Sequence, residues 1–140
     1  MTTIVDTDAI FALSNRTDAL HNRAKCVLER VGNPTIILSP TTIVEFSLTA
    51  SKKFGLELAK QVTQNITNGS MRIETVNEYD VQTATRLFYQ QRTKEESLCD
   101  CFVMALAKKV QADCIFSFDQ GYTKNGFVLT EDFIEQMVGK

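Results

Sequence analysis

The chain has no tryptophan, two prolines and a single histidine, His21. It contains no apolar run of the ~18 residues that a membrane-spanning helix needs. The N-terminal stretch "MTTIVDTDAIFAL" lacks the basic region and small-residue cleavage site of a secretion signal, so a cytoplasmic protein is expected. The cysteines, Cys26, Cys99, Cys101 and Cys114, include no C-x-x-C pair, and His21 stands far from all of them in sequence. That excludes the usual spacing of a structural zinc site. They are expected to be reduced, small core hydrophobes. Repeats, low-complexity stretches and Pro/Gly-rich linkers are also missing, so residues 1–140 read as one domain. Positive charge is not in excess: 15 Lys and Arg face 17 Asp and Glu, for a net charge of −2. Such a chain does not grip nucleic acid through bulk charge. If several acids gather around a cation, however, the remaining surface is slightly basic.

What is present is a globular composition, 44% apolar and 23% charged, in a chain long enough to bury a core. Apolar segments alternate with amphipathic ones. Strands are expected at 3–5 ("TIV"), 35–38 ("TIIL"), 71–75 ("MRIET"), 114–118 ("CIFSF") and, last and short, 127–130 ("FVLT"). Between them lie a brief helical turn at 9–13 and a helix capped by Thr17 or Asp18, with a stripe at Leu20, Ala24, Val27, Leu28 and Val31. Ser39 caps a helix over 40–52 that opens on Pro40; its inward positions are Ile43, Phe46 and either Leu48 or Ala50. A helix over 55–67 uses Leu58, Ala59, Val62 and Ile66. Asn77 and Asp80 start a helix over 78–91 with Val81, Ala84, Leu87 and Phe88 as its stripe. "SLCD", 97–100, has the form of a capping box and opens a helix running to about Gln111. Residues 92–96 and 119–126 read as loops, and Thr130 as the cap of a final helix over 131–138. Strands alternating with helices predict an α/β fold: a central parallel sheet flanked by helices on both faces. Ligands of such sheets bind at the carboxyl ends of the strands.

Acids fall at that edge. Asp6 ends the first strand, Glu45 lies in the first turns of the helix after the second, Asp100 opens a later helix, and Asp119 follows "CIFSF". Asp8 makes a fifth candidate. Each has a plain alternative when taken singly. Asp6 or Asp8 can cap a helix, Asp100 can serve a capping box, Asp119 can sit in a turn, and Glu45 can face solvent beside two core residues. Taken jointly they point further, because caps and turns need not share an edge whereas ligands of one ion must. Converging carboxylates without His or Cys favour hard cations, Mg²⁺ or Mn²⁺. Such ions activate water and stabilise charge in phosphoryl chemistry. A divalent ion would thus neutralise Asp6 and its companions, with Asp8 joining through water or capping the next turn.

The ordered segments "TIVDTDAI", "SPTTIVEF" and "SLCDCFVMALAKKVQADCIFSFDQGY" resemble a PIN domain, the fold of VapC-type toxin ribonucleases. The likeness covers nearly the whole chain and rests on Asp6-Thr7, Glu45, Asp100 with "ALAKK", and Ser117-x-Asp119; the closing "GFVLTEDF" is similar too. It implies Mg²⁺- or Mn²⁺-dependent endonucleolytic cleavage of RNA by an activated water. In that reading Asp6, Asp100 and Asp119 hold the metal. Glu45 binds it through water or orients the attacking water. Ser117 hydrogen-bonds the Asp6 region or a water on the metal. The resemblance also implies a homodimer and a small antitoxin protein that silences it. Asp8 departs from the family pattern, which often has a small or apolar residue there.

Two other readings remain at this stage: a PIN nuclease of RNA processing without an antitoxin, and a silent PIN-like binding module. Asp6-x-Asp8 also resembles the first motif of haloacid-dehalogenase-type phosphatases, but Lys124 is a poor match for that family's late lysine and no acid pair follows it. Arg16, Arg23, Lys25, Lys52, Lys53, Arg92 and Lys94 are candidates for phosphate contact, Arg92 and Lys94 foremost, although a solvated helix face is the ordinary role for each. Phe11, Tyr122 and Phe127 read as core or interface rather than base-stacking platforms.

Overall fold

The computed structural model of the protein describes residues 1–92 and 95–139. Four short strands, β1 (Thr2–Val5), β2 (Thr35–Leu38), β3 (Arg72–Ile73) and β4 (Cys114–Phe116), form one sheet in the order β3-β2-β1-β4. All pairings are parallel, with Val5 opposite Leu38 on one side and Phe116 on the other. β1 and β2, central in this order, present alternate residues to opposite faces, as the two-residue period of a strand requires. Ile4, Ile37 and Ile115 enter one core; Val5, Leu38 and Phe116 enter the other.

Helices cover both faces. The Val5 face carries α1 (Thr7–Ser14), α2 (His21–Val31), α3 (Pro40–Phe54), α4 (Leu56–Thr67) and α8 (Thr130–Val138). The Ile4 face carries α5 (Glu78–Gln90) and α6 (Leu98–Lys109), with Tyr122 from the short α7 (Gly121–Lys124). Gly55 sits between α3 and α4 at φ +84°, a left-handed conformation that breaks the helix at no steric cost. α6 is almost wholly buried from Cys101 to Ala107, which explains its nearly unbroken apolar sequence.

Several expected details differ. "FVLT" does not form a strand; it contributes one isolated parallel bridge, Ile115 to Leu129. "MRIET" narrows to two residues at the sheet edge. Helix α2 starts beyond Thr17 and Asp18, whose place as cap is taken by Leu20 without a side-chain bond. Thr130 does not cap α8: it is buried as that helix's first residue, its hydroxyl 3.0 Å from that of Thr3. Ala50, not Leu48, is the buried member of its pair, and Leu58, Val81 and Phe88 are exposed. In each case a neighbouring smaller residue, Ala59 or Ala84, takes the crowded helix contact. Cys101 and Cys114 are buried, but Cys26 lies on the exposed face of α2 and is no core residue.

Candidate active site

Asp6, Glu45, Asp100 and Asp119 line one cavity of about 380 Å³ at the carboxyl end of the sheet, together with Asp8, Phe11, Lys53 and Ser97. Each acid arrives by a local device. β1 ends at Val5, and Asp6 becomes the N-cap of α1, its Oδ1 accepting the Thr7 N–H at 2.8 Å. Helix α1 therefore begins at Thr7, not Ala9. Asp100 closes the capping box at the start of α6, with Oδ2 taking the Ser97 N–H at 2.8 Å. Asp119 follows β4 and accepts the Gly121 N–H at 2.8 Å. Glu45 lies in α3, half-buried, with no cap to serve. The plain and the chemical roles coexist, because a carboxylate has two oxygens. In Asp6, Asp100 and Asp119 one oxygen fixes the backbone, which leaves the second to meet other groups of the site.

Tyr122 ties two of these acids together. Its side chain is fully buried, and its hydroxyl lies 2.8 Å from Asp6 Oδ2 and 3.1 Å from Asp100 Oδ1. One phenolic proton serves one carboxylate at a time. Burial and the two adjacent acids push the Tyr122 hydroxyl well above its ordinary range, so it stays a donor. Asp6 is raised to about 7, first by burial, then by repulsion from Asp8, with Asp100 adding to it. The hydrogen bond from Tyr122 works the other way.

Asp8 is not the cap of the turn that follows it: it lies inside the first turn of α1, where its Oδ1 accepts the Ala9 N–H at 2.7 Å. Its Oδ2 accepts the Phe118 N–H at 2.8 Å and lies 3.1 Å from Ser117 Oγ, so it stitches α1 to the chain leaving β4. Burial raises it despite these bonds. Ser117 is buried; its hydroxyl is 3.4 Å from Asp6 and accepts the Asp119 N–H at 3.0 Å. It thus stands among three acids, Asp6, Asp8 and Asp119.

The tightest carboxylate group among the described residues includes one member that the sequence reading missed. Oxygens of Glu96, Asp100 and Asp119 lie within 4.8 Å of one another; Asp100 and Asp119 line the cavity with Asp6 and Glu45, and Glu96 stands behind them. "RTKEE" reads as a polar loop, and nothing in its composition separates Glu96 from Glu95. Tertiary packing does so: Glu96 is 7% exposed, whereas Glu95 is open to solvent. Burial, then Asp119 and Asp100, raise Glu96 to about 7.

Of the basic candidates among the described residues, Lys53 alone lines the cavity, with Nζ 5.1 Å from the centre of the Phe11 ring. Arg23 is engaged by both carboxylate oxygens of Glu131 and stacks over Phe118. Arg92 is exposed, and Lys94 lies outside the described residues. Phe11, Tyr122 and Phe127 are buried or half-buried in the two cores, but Tyr122 has the site role just described.

The fold and site define a small parallel α/β domain that gathers chain-distant carboxylates beyond its strand ends. The chain belongs to the PIN domain family, whose sequence pattern matches residues 3–128. Curated proteins gave no match. Solved structures share the fold. The Mycobacterium tuberculosis toxin VapC20, described as cleaving the sarcin-ricin loop, is 23% identical, with a TM-score of 0.81 over 91% of this chain and 97% of its own. VapBC-1 of nontypeable Haemophilus influenzae is 19% identical, with a TM-score of 0.66 over 92% and 96%. A toxin–antitoxin complex from Klebsiella pneumoniae is 18% identical, with a TM-score of 0.58 over 84% and 87%.

The residues present suit a hard divalent cation. The donors are carboxylates, and His and Cys take no part in the close group. The Cys99 thiol, beside Glu45, is pushed by burial and then by that acid up to about 12, which keeps it protonated and a poor ligand.

Proposed function

We propose that this protein is a divalent-metal-dependent endoribonuclease, the toxin of a type II toxin–antitoxin pair. The observation that carries this reading is the meeting of Asp6, Glu45, Asp100 and Asp119, from four separate stretches of a PIN fold, in one cavity beside Lys53. Asp6, Asp100 and Asp119 would hold Mg²⁺ or Mn²⁺, and Glu45 would bind through water or orient the attacking water. Such an ion supplies an activated water and neutralises charge developing on the phosphate. The chain's own residues prepare the site. Tyr122 and Thr7 fix Asp6, Ser97 fixes Asp100, and Ser117 spaces Asp6 from Asp119. Lys53 offers a cation to the RNA backbone at the cavity wall.

A small antitoxin partner, a homodimer and a cytoplasmic setting complete the proposal. They are supported by the likeness to toxin–antitoxin structures and, for the protein partners, by the exposed Tyr79, Phe88 and Tyr89 on α5.

The test is cleavage of RNA by the purified chain with Mg²⁺ or Mn²⁺, compared with Asp6→Asn and Asp100→Asn. We expect each variant to lose ~100-fold or more in rate, as removal of a metal-orienting or charge-stabilising group does. Equal cleavage by the variants would overturn the assignment. Expression in a bacterium should arrest growth unless a neighbouring small protein is supplied. Harmless expression with cleavage retained would instead indicate an RNA-processing nuclease, and metal binding without cleavage a silent binding module.

A further inference from the structure

Glu96 is a carboxylate in an unusual position. It is nine-tenths buried, and its Oε2 is sealed from solvent with no hydrogen-bond partner among the described residues. The backbone around it is well anchored: the Glu96 N–H donates to Gln91 Oε1 at 2.8 Å, and its carbonyl accepts from Gln91 Nε2 at 3.0 Å. The side chain is therefore placed, not stray. It points at Asp100 and Asp119, whose oxygens lie within 4.8 Å of its own. Three carboxylates that close repel one another unless a proton or a cation stands between them. Nor is the space around Glu96 accidental. A Cβ on Gly121 would fall 1.7 Å from Glu96 Oε1 and 2.6 Å from its Cδ. The glycine at 121 leaves room for the Glu96 carboxylate against the start of α7.

We propose that Glu96 is a direct ligand of a divalent cation that it shares with Asp100 and Asp119, seated by Gln91 and by the missing side chain of Gly121. This deepens the reading of the cavity as a metal site and rests on it. An unsatisfied buried carboxylate oxygen costs stability, and a cation at this position satisfies it. The same ion removes the repulsion among the three acids. Asp6 and Asp100 each share their two oxygens with a backbone N–H and the Tyr122 hydroxyl, whereas Glu96 Oε2 accepts no hydrogen bond.

The experiment compares the full chain with Glu96→Gln, using Mn²⁺ for affinity by calorimetry and Tb³⁺ for the number of bound waters by luminescence lifetime in H₂O and D₂O. Gln keeps the shape and the Gln91 backbone contacts, and melting of the metal-free proteins checks the fold. We expect Glu96→Gln to bind Mn²⁺ ~10-fold or more weakly and bound Tb³⁺ to gain about one water, as loss of one oxygen ligand requires. The metal-free variant should melt no lower than the parent. Weaker binding with unchanged hydration would make Glu96 a distant charge and overturn the proposal. Unchanged affinity and hydration would overturn it while leaving the cavity a metal site. Absence of Mn²⁺ binding by the parent would remove both readings together.

Discussion

A single carboxylate in this protein carries two assignments, and its two oxygens keep them apart. Asp6 caps α1 with one oxygen and meets Tyr122 with the other; Asp100 divides itself between Ser97 and Tyr122 in the same way. Because Asp6 is raised to about 7, a proton competes with a cation for it below that value. RNA cleavage should therefore rise as pH climbs through about 7, which a pH–rate profile measures. Tyr122→Phe sharpens the prediction. The bond from Tyr122 lowers Asp6, so its loss raises Asp6 further and should move the acid limb of the profile to higher pH. The same variant should lose about 1–3 kcal/mol of metal-free stability, as a buried acceptor left without its donor does. Asp6, Glu45, Asp100 and Asp119 were all legible in the sequence by their position after strands or at helix starts. Glu96 and Tyr122 were not, because nothing local distinguishes a buried Glu from its solvent-facing neighbour or a site tyrosine from a core one.

At the scale of elements, the fold depends on how α5 and α6 are joined. Asn77 and Asp80 form a capping box at the start of α5, and Asp80 also accepts from Lys109 at the end of α6, at 2.7 Å. Burial pushes the Asp80 carboxyl up, but the Asn77 N–H and the Lys109 ammonium outweigh it and hold it below its ordinary 3.8. A lowered acid stabilises the fold above its ordinary value, and that contribution is lost as pH falls through the lowered one. Asp80→Ala keeps the Asn77 cap but removes the carboxylate that accepts the Asn77 N–H, and leaves Lys109 without its closest partner. We expect a loss of about 2 kcal/mol at neutral pH, read from denaturant unfolding, with the difference from the parent shrinking in acid. The cap at Asn77 was readable from sequence because capping is local. The Lys109 contact was not, since its partner lies 29 residues away.

For the whole molecule, the acidic cavity is a liability that a cation relieves. Asp6 and Glu96 are both raised to about 7. A raised acid contributes stability that is complete below its ordinary value and is lost as pH climbs through the raised one. The metal-free protein should therefore melt at a lower temperature near pH 8 than near pH 5, and millimolar Mn²⁺ should raise the melting temperature by several degrees more at about pH 8 than at about pH 5. Differential scanning calorimetry with and without Mn²⁺ measures both. An equal increment at the two values would count against binding through these carboxylates.

The sequence by itself determined the alternation of strand and helix, the caps at Ser39, Asn77 and Ser97, and the placing of acids after strand ends. These follow from periodicity and from hydrogen bonds made within a few residues. The tertiary structure alone decided that "FVLT" gives a single bridge rather than a strand, that Ala50 and Ala84 rather than Leu48 and Phe88 meet the core, and that Glu96 turns inward over Gly121. Those outcomes depend on which surfaces come into contact when the sheet closes under its helices, and contact between distant segments leaves no mark on the local pattern of residues.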